Sequence, residues 1–266
     1  MKLFEDIETI EDIVDQPKGT IFYLHSFMGN FQMKKSLRNY YHEYNFFAIN
    51  LPGHGNSKVK SINETRIPYC INLVKSYIEK HSLHNLIMIG HSLGGGIIAS
   101  LNKIIPERIS LNIFEAPANG AMLDNINVIK RLVPNNIEDT KFIINNLYYD
   151  PIKTFGSRLD SIIKYEYEKS KKFNIFKSNF EVEIVQQNTK IFDEGFKSIK
   201  IPSLVIIGEK DGILPKQLMI NNFQKINNFN LELETILNAS HAIYNEQKQT
   251  FLGLLDDFLK KNYAKK

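Results

Sequence analysis

The residues Gly90-His91-Ser92-Leu93-Gly94 stand between an apolar run at residues 86–90 and a stretch of helical character that opens at Gly95 and Gly96. A serine at a tight strand-to-helix turn is held in a strained backbone conformation, and flanking residues without side chains avoid collision with it. That strain presents the Ser92 hydroxyl at the end of the strand as a nucleophile, while the first free N–H groups of the helix face the place where negative charge would develop. G-x-S-x-G occurs often by chance, and it is the strand before and the helix after that give it meaning here.

A serine hydroxyl needs a base within hydrogen-bond reach and a carboxylate to fix the base's tautomer. The chain offers His25, His42, His54, His81, His84, His91 and His241. Behind an elbow of this kind the partners follow in the order serine, acid, histidine. Only His241 follows Ser92 with strand-ending acids in between, in a loop that directly succeeds the alternating run LELETIL. Asp211, in Gly208-Glu209-Lys210-Asp211-Gly212, is the favoured acid, because Gly212 permits a turn back toward the histidine. Glu209 is its first rival and Glu115, at the end of another apolar run, its second. The oxyanion site takes its donors from the backbone N–H groups of Leu93 and of Phe27, the latter in the loop His25-Ser26-Phe27-Met28-Gly29-Asn30.

The elements that must position these groups are short apolar runs at residues 20–24, 46–50, 86–90, 109–114, 203–208 and 231–237. They read as strands, and those before residue 118 alternate with helical spacing such as Ile67, Cys70, Ile71, Val74 and Ile78. The expected class is α/β, a mostly parallel central sheet with helices on both faces. From residue 118 to 200 the alternation gives way to helix-like stretches, which predicts a helical cap inserted between core segments 1–117 and 201–266. A closing helix is expected over residues 246–260.

Bulk properties narrow the function. The chain has 266 residues, 43% hydrophobic and 23% charged, with a net charge of +4 spread along its length. Nucleic-acid binding is not indicated. One cysteine, Cys70, excludes an internal disulfide and is read as a small core residue, and acids interrupt the apolar positions of MKLFEDIETIEDIV. A reducing cytoplasm is therefore expected. No run reaches the roughly 18 to 20 apolar residues of a membrane span. Oligomeric state is left open.

The pieces HSFMGN, LPGHGNS, GHSLGG and GEKDG…SH resemble, in order and spacing, the α/β-hydrolase superfamily of esterases and lipases. The resemblance runs from about Thr20 to the carboxyl end, the cap apart. It implies the α/β-hydrolase fold and hydrolysis of a carboxylic ester through an acyl-enzyme by Ser92, His241 and Asp211, with Gly90, His91 and Gly94 forming the elbow. It implies a structural role for His54, and needs neither metal nor cofactor. Where the family usually has His-Gly, this chain has His25-Ser26. The serine separates it from relatives with an aspartate nucleophile, and Gly-His-Ser-Leu-Gly from the Gly-Gly-Ser-Trp-Gly of prolyl aminopeptidases. The implied partner is a small-molecule ester with an apolar acyl group. Phe142, Leu147, Tyr148, Tyr149, Phe155, Tyr165, Tyr167, Phe173 and Phe176 of the cap are candidates to line its pocket or simply to pack. Lys164, Lys169, Lys171 and Lys172 read as a solvated helix face. Alternatives are a thioesterase, a carbon–carbon bond hydrolase or lyase with the same triad, and a binding protein that has lost catalysis.

Overall fold

The computed structural model describes residues 4–263. Seven strands form one sheet: β1 (Thr9–Asp12), β2 (Thr20–Leu24), β3 (Asn45–Ile49), β4 (Leu86–His91), β5 (Ile109–Glu115), β6 (Ser203–Gly208) and β7 (Leu231–Ile236). Their order is β1-β3-β2-β4-β5-β6-β7, and every pairing is parallel except β1 with β3. The short edge strand β1 is an addition to the strands expected above.

Continuous apolar strands are what a parallel sheet covered on both faces requires, and all residues of β5 and β6 are buried. Side chains alternate between two cores. Phe22 and Leu24 of β2 join the core on one face, and Ile21 and Tyr23 join the core on the other.

Seven helices of eleven residues or more are α1 (Ile67–Lys80), α2 (Leu93–Ile104), α3 (Ile137–Leu147), α4 (Leu159–Ser170), α5 (Val182–Ser198), α6 (Lys216–Ile226) and α7 (Lys248–Asn262). Proline in the first turn starts α1, where its missing N–H costs nothing. Asn136 caps α3 by accepting the Asp139 N–H at 2.8 Å. Cys70, on the buried face of α1, is 4% exposed and packs in the core.

The segment between β5 and β6 carries α3, α4 and α5. Of these, α5 lies against α2, where a Cβ on Gly195 would stand 2.5 Å from the Ala99 carbonyl carbon. Gly96 meets Phe192 in the same way, at 2.8 Å. The chain runs from β2 outward to β3 and then returns to β4 on the other side of β2. The carboxyl ends of β2 and β4 therefore flank a topological switch point, where open α/β sheets form their ligand crevices. No described helix is long and apolar enough to cross a membrane.

Candidate active site

Ser92 follows β4 directly and has φ 51° and ψ −114°, a conformation strained for any residue with a side chain. Its backbone is held from three sides. The Ser92 N–H donates to the Glu115 carbonyl at 2.9 Å, and the Ser92 carbonyl accepts from Gly96 N–H at 3.2 Å and Ala118 N–H at 2.9 Å. Gly94 makes the turn possible, since a Cβ there would lie 2.2 Å from the Leu24 carbonyl oxygen at the end of β2. The elbow is thereby pressed against the strand that feeds the loop containing Phe27.

Leu93 is the first residue of α2, so its N–H has no acceptor within the helix. In the loop after β2, Ser26 is not among the residues with positive φ; Met28, with φ 59°, takes the left-handed conformation instead. The His25 ring fixes this loop's start, donating from Nδ1 to the Ser26 carbonyl at 2.8 Å and accepting the Leu51 N–H on Nε2 at 3.0 Å. Burial holds the His25 pKa down to about 4, which keeps that tautomer neutral. Ser92, Leu93 and Phe27 share the wall of a small apolar cavity of about 60 Å³.

His241 follows β7 in a loop and is 3% exposed. Its Nδ1 donates to Asp211 Oδ2 at 2.8 Å. The other oxygen of Asp211 accepts the N–H groups of Ile213 and Leu214, each at 2.8 Å. Asp211 is thus oriented by two backbone donors and the imidazole, and His241 Nε2 has no hydrogen-bond partner among the described residues. The rival acids are bonded to other groups. Glu209 accepts the Asn238 N–H at 3.1 Å, while Glu115 bonds Lys34 Nζ at 2.6 Å and the Tyr244 N–H at 2.8 Å.

Ser92 and His241 line one cavity of about 250 Å³, together with Phe27, His91, Leu147 and Tyr148. No hydrogen bond joins the Ser92 hydroxyl to the imidazole among the described residues. His91 donates from Nε2 to the His241 carbonyl at 3.1 Å, and burial lowers its pKa to about 4. A neutral His91, with ring centroids 5.3 Å apart, adds no positive charge beside His241.

Several positioning groups were not visible in the sequence. Glu246 accepts the Ser240 N–H at 2.7 Å and the Tyr149 N–H at 2.6 Å, tying the His241 loop to the chain after α3. The end of α3 contributes more through its backbone. The Asn146 carbonyl accepts from Ser240 Oγ at 2.8 Å and Gly212 N–H at 3.1 Å, and the Leu147 carbonyl accepts from Ala242 N–H at 3.1 Å. One helix end therefore braces both the Asp211 and the His241 loops. Backbone acceptors of this kind leave no sequence signal.

His54 is packed among Phe27, Phe173 and Phe176, with ring centroids 5.0 to 5.7 Å away, and its Nδ1 donates to the Pro52 carbonyl at 3.0 Å. It is 1% exposed and is not hydrogen-bonded to Ser92, His241 or Asp211. Among the aromatic candidates, Phe176 lines the smaller cavity and Tyr148 and Phe155 the larger, whereas Tyr149 and Tyr165 are exposed. Lys169 and Lys171 pair with Glu166 and Glu168 on α4.

The family model Hydrolase_4, described as serine aminopeptidase, S33, matches residues 15–248. The protein named "Putative esterase/lipase 1" in Mycoplasma pneumoniae is 33% identical over 98% of both chains. Its namesake in Mycoplasma genitalium is 31% identical over 97% of both. Among solved structures, a protein named "putative lipase (lip1)" from Acinetobacter baumannii AYE shares the fold with a TM-score of 0.81 at 18% identity, covering 100% of this chain and 91% of that one. A meta-cleavage product hydrolase from Pseudomonas fluorescens IP01 does so with a TM-score of 0.74 at 16% identity, covering 96% and 94%. The chain belongs to the Hydrolase_4 family and is an esterase/lipase-like α/β hydrolase.

Proposed function

We propose that the protein hydrolyses a carboxylic ester by two acyl transfers at Ser92. His241 Nε2 takes the hydroxyl proton as Ser92 Oγ attacks the ester carbonyl. The oxyanion rests on the N–H groups of Phe27 and Leu93, and the imidazolium formed at His241 is stabilised by Asp211. Collapse breaks the bond to the alkoxy oxygen, which leaves as alcohol with the proton from His241. Water, deprotonated by His241, then attacks the acyl-serine and releases the acid. The observation that carries this reading is the buried Asp211–His241 hydrogen bond of 2.8 Å, on a cavity whose wall includes a serine in the strained elbow conformation. Catalytic hydrogen bonds are often unformed without substrate, and the Ser92–His241 bond forms when the ester closes the site.

In this reading residues 118–200 supply the cap, of which α3 and α4 overhang the larger cavity and α5 is its foot on the core. Cys70, alone and buried, suits a reducing cytoplasm. The test is hydrolysis of p-nitrophenyl butanoate. Wild-type protein is expected to turn it over and Ser92→Ala to retain less than a thousandth of the rate. Equal, measurable rates would end the Ser92 mechanism, and no turnover by either would leave a binding protein of the same fold.

A further inference from the structure

Two cavities meet at Ser92; both are mainly apolar, and they differ in size and in that only the larger has charged side chains in its wall. The smaller, about 60 Å³, is walled by apolar groups including Leu132, Phe180, Phe192 and Leu214. The larger, about 250 Å³, contains His241 and also the buried ion pair of Lys34 and Glu115. In the proposed mechanism the leaving oxygen takes its proton from His241, so the alcohol lies on the His241 side. The acyl chain is then left to the smaller, apolar cavity.

Lys34 Nζ and Glu115 Oε2 are 2.6 Å apart, with side chains 5% and 1% exposed. Burying such a pair is expensive, and an apolar pair of similar volume is often as stable or more so. Stability alone therefore gives no reason for charges in this wall. Lys34 Nζ bonds Glu115 and lies 4.1 Å from the centre of the Tyr244 ring. An ammonium has three N–H donors, and among the described residues Glu115 is its one oxygen acceptor. Each Glu115 oxygen accepts one bond and has a lone pair to spare. The pair is neutral as a whole, so an ionic ligand group would be repelled by one member in a site with little water. An uncharged group that accepts from Lys34 and donates to Glu115 satisfies both, and a hydroxyl does this with a single atom. The pair lines the same cavity as Ser92 and His241, and the Glu115 main-chain carbonyl accepts the Ser92 N–H at 2.9 Å.

We propose that the ester cleaved here joins a short apolar acyl chain to a polyhydric alcohol, whose second hydroxyl sits between Lys34 and Glu115. This rests on the hydrolase reading above and adds the leaving-group class to it.

The experiment compares 2-hydroxyethyl butanoate with propyl butanoate, which differ by a hydroxyl in place of a methyl group. Each enzymatic kcat/KM is divided by the ester's hydroxide-catalysed rate constant. Wild-type protein is expected to favour the hydroxyl ester at least about tenfold, since a site built to bond a hydroxyl discriminates strongly against its absence. Lys34→Met is expected to reduce the preference to within about twofold; if that variant fails to fold, the neutral pair K34M/E115Q carries the same expectation. Equal wild-type rates, or a preference that survives in the variants, would overturn the proposal. Failure of wild-type protein to cleave even p-nitrophenyl butanoate is a different result, which strikes the hydrolase reading and takes this proposal with it.

Discussion

A methyl group at residue 94 has no space to occupy. Built on the present backbone, the Cβ of Gly94→Ala lies 2.2 Å from the Leu24 carbonyl oxygen, 2.6 Å from its carbon and 2.8 Å from the His25 carbonyl oxygen. Ordinary contact begins at 3.4 Å, so about 1.2 Å must be found. All three of these neighbours are backbone atoms, and Leu24 is paired in the middle of the sheet with both Ile49 and Gly90. The start of α2 must therefore move away from the end of β2. That motion separates the Leu93 N–H from the Phe27 loop, the two halves of the proposed oxyanion site. Loss of one donor costs about 2.7 to 4 kcal/mol of transition-state stabilisation, roughly 10² to 10³ in kcat. Overpacking costs folding stability about 1 to 3 kcal/mol as well. The assay is kcat/KM on p-nitrophenyl butanoate beside urea unfolding. A variant within threefold of wild type, with an unchanged unfolding midpoint, would refute the link between the elbow's tightness and the oxyanion site.

Glu246→Ala should release the Ser240 and Tyr149 N–H groups that hold the His241 loop to the end of α3. It is expected to lower kcat about tenfold with a smaller change in KM, because a misplacement near 1 Å is enough for a loss of this order or more; an unchanged kcat would deny Glu246 a positioning role. Acid should destabilise the fold well before its carboxylates titrate. His25 and His91 are held near pKa 4 and His54 well below its usual value, all mainly by burial, so all three are neutral when folded and take up protons on unfolding. Their contribution is full above about pH 6.5 and is lost as pH falls toward 4, with a slope of about 4 kcal/mol per pH unit around pH 5. Urea midpoints measured from pH 7.5 to 5 should fall accordingly, and a flat profile would contradict the neutral, buried state of these rings.

The central strands were legible because strands covered on both faces must be unbroken apolar runs, as β4 and β6 are. The Asp211–His241 pairing could be anticipated because the residues just beyond such strands are the ones that meet above the sheet. β1 was missed for the converse reason. Its four residues, TIED, form an antiparallel edge with no apolar run to announce it. The packing of α5 onto α2 was also hidden, since a break in strand-helix alternation says nothing about where a helix docks. Glu115 reads in the sequence as a rival for the triad acid, yet in the fold its carboxylate accepts from Lys34 Nζ and the Tyr244 N–H. Lys34 gave no signal at all: a lysine in a four-residue 3-10 helix reads as solvated, and only the fold brings it under β5.

The central claim is that Ser92 is a nucleophile activated by His241. Incubation with a fluorophosphonate, followed by peptide mass spectrometry, tests it without assuming any substrate. The account predicts one adduct on Ser92, formed at least a hundredfold more slowly in His241→Ala and absent in Ser92→Ala. An unlabelled Ser92 in folded wild-type protein, or labelling that proceeds equally well without the imidazole, would contradict it.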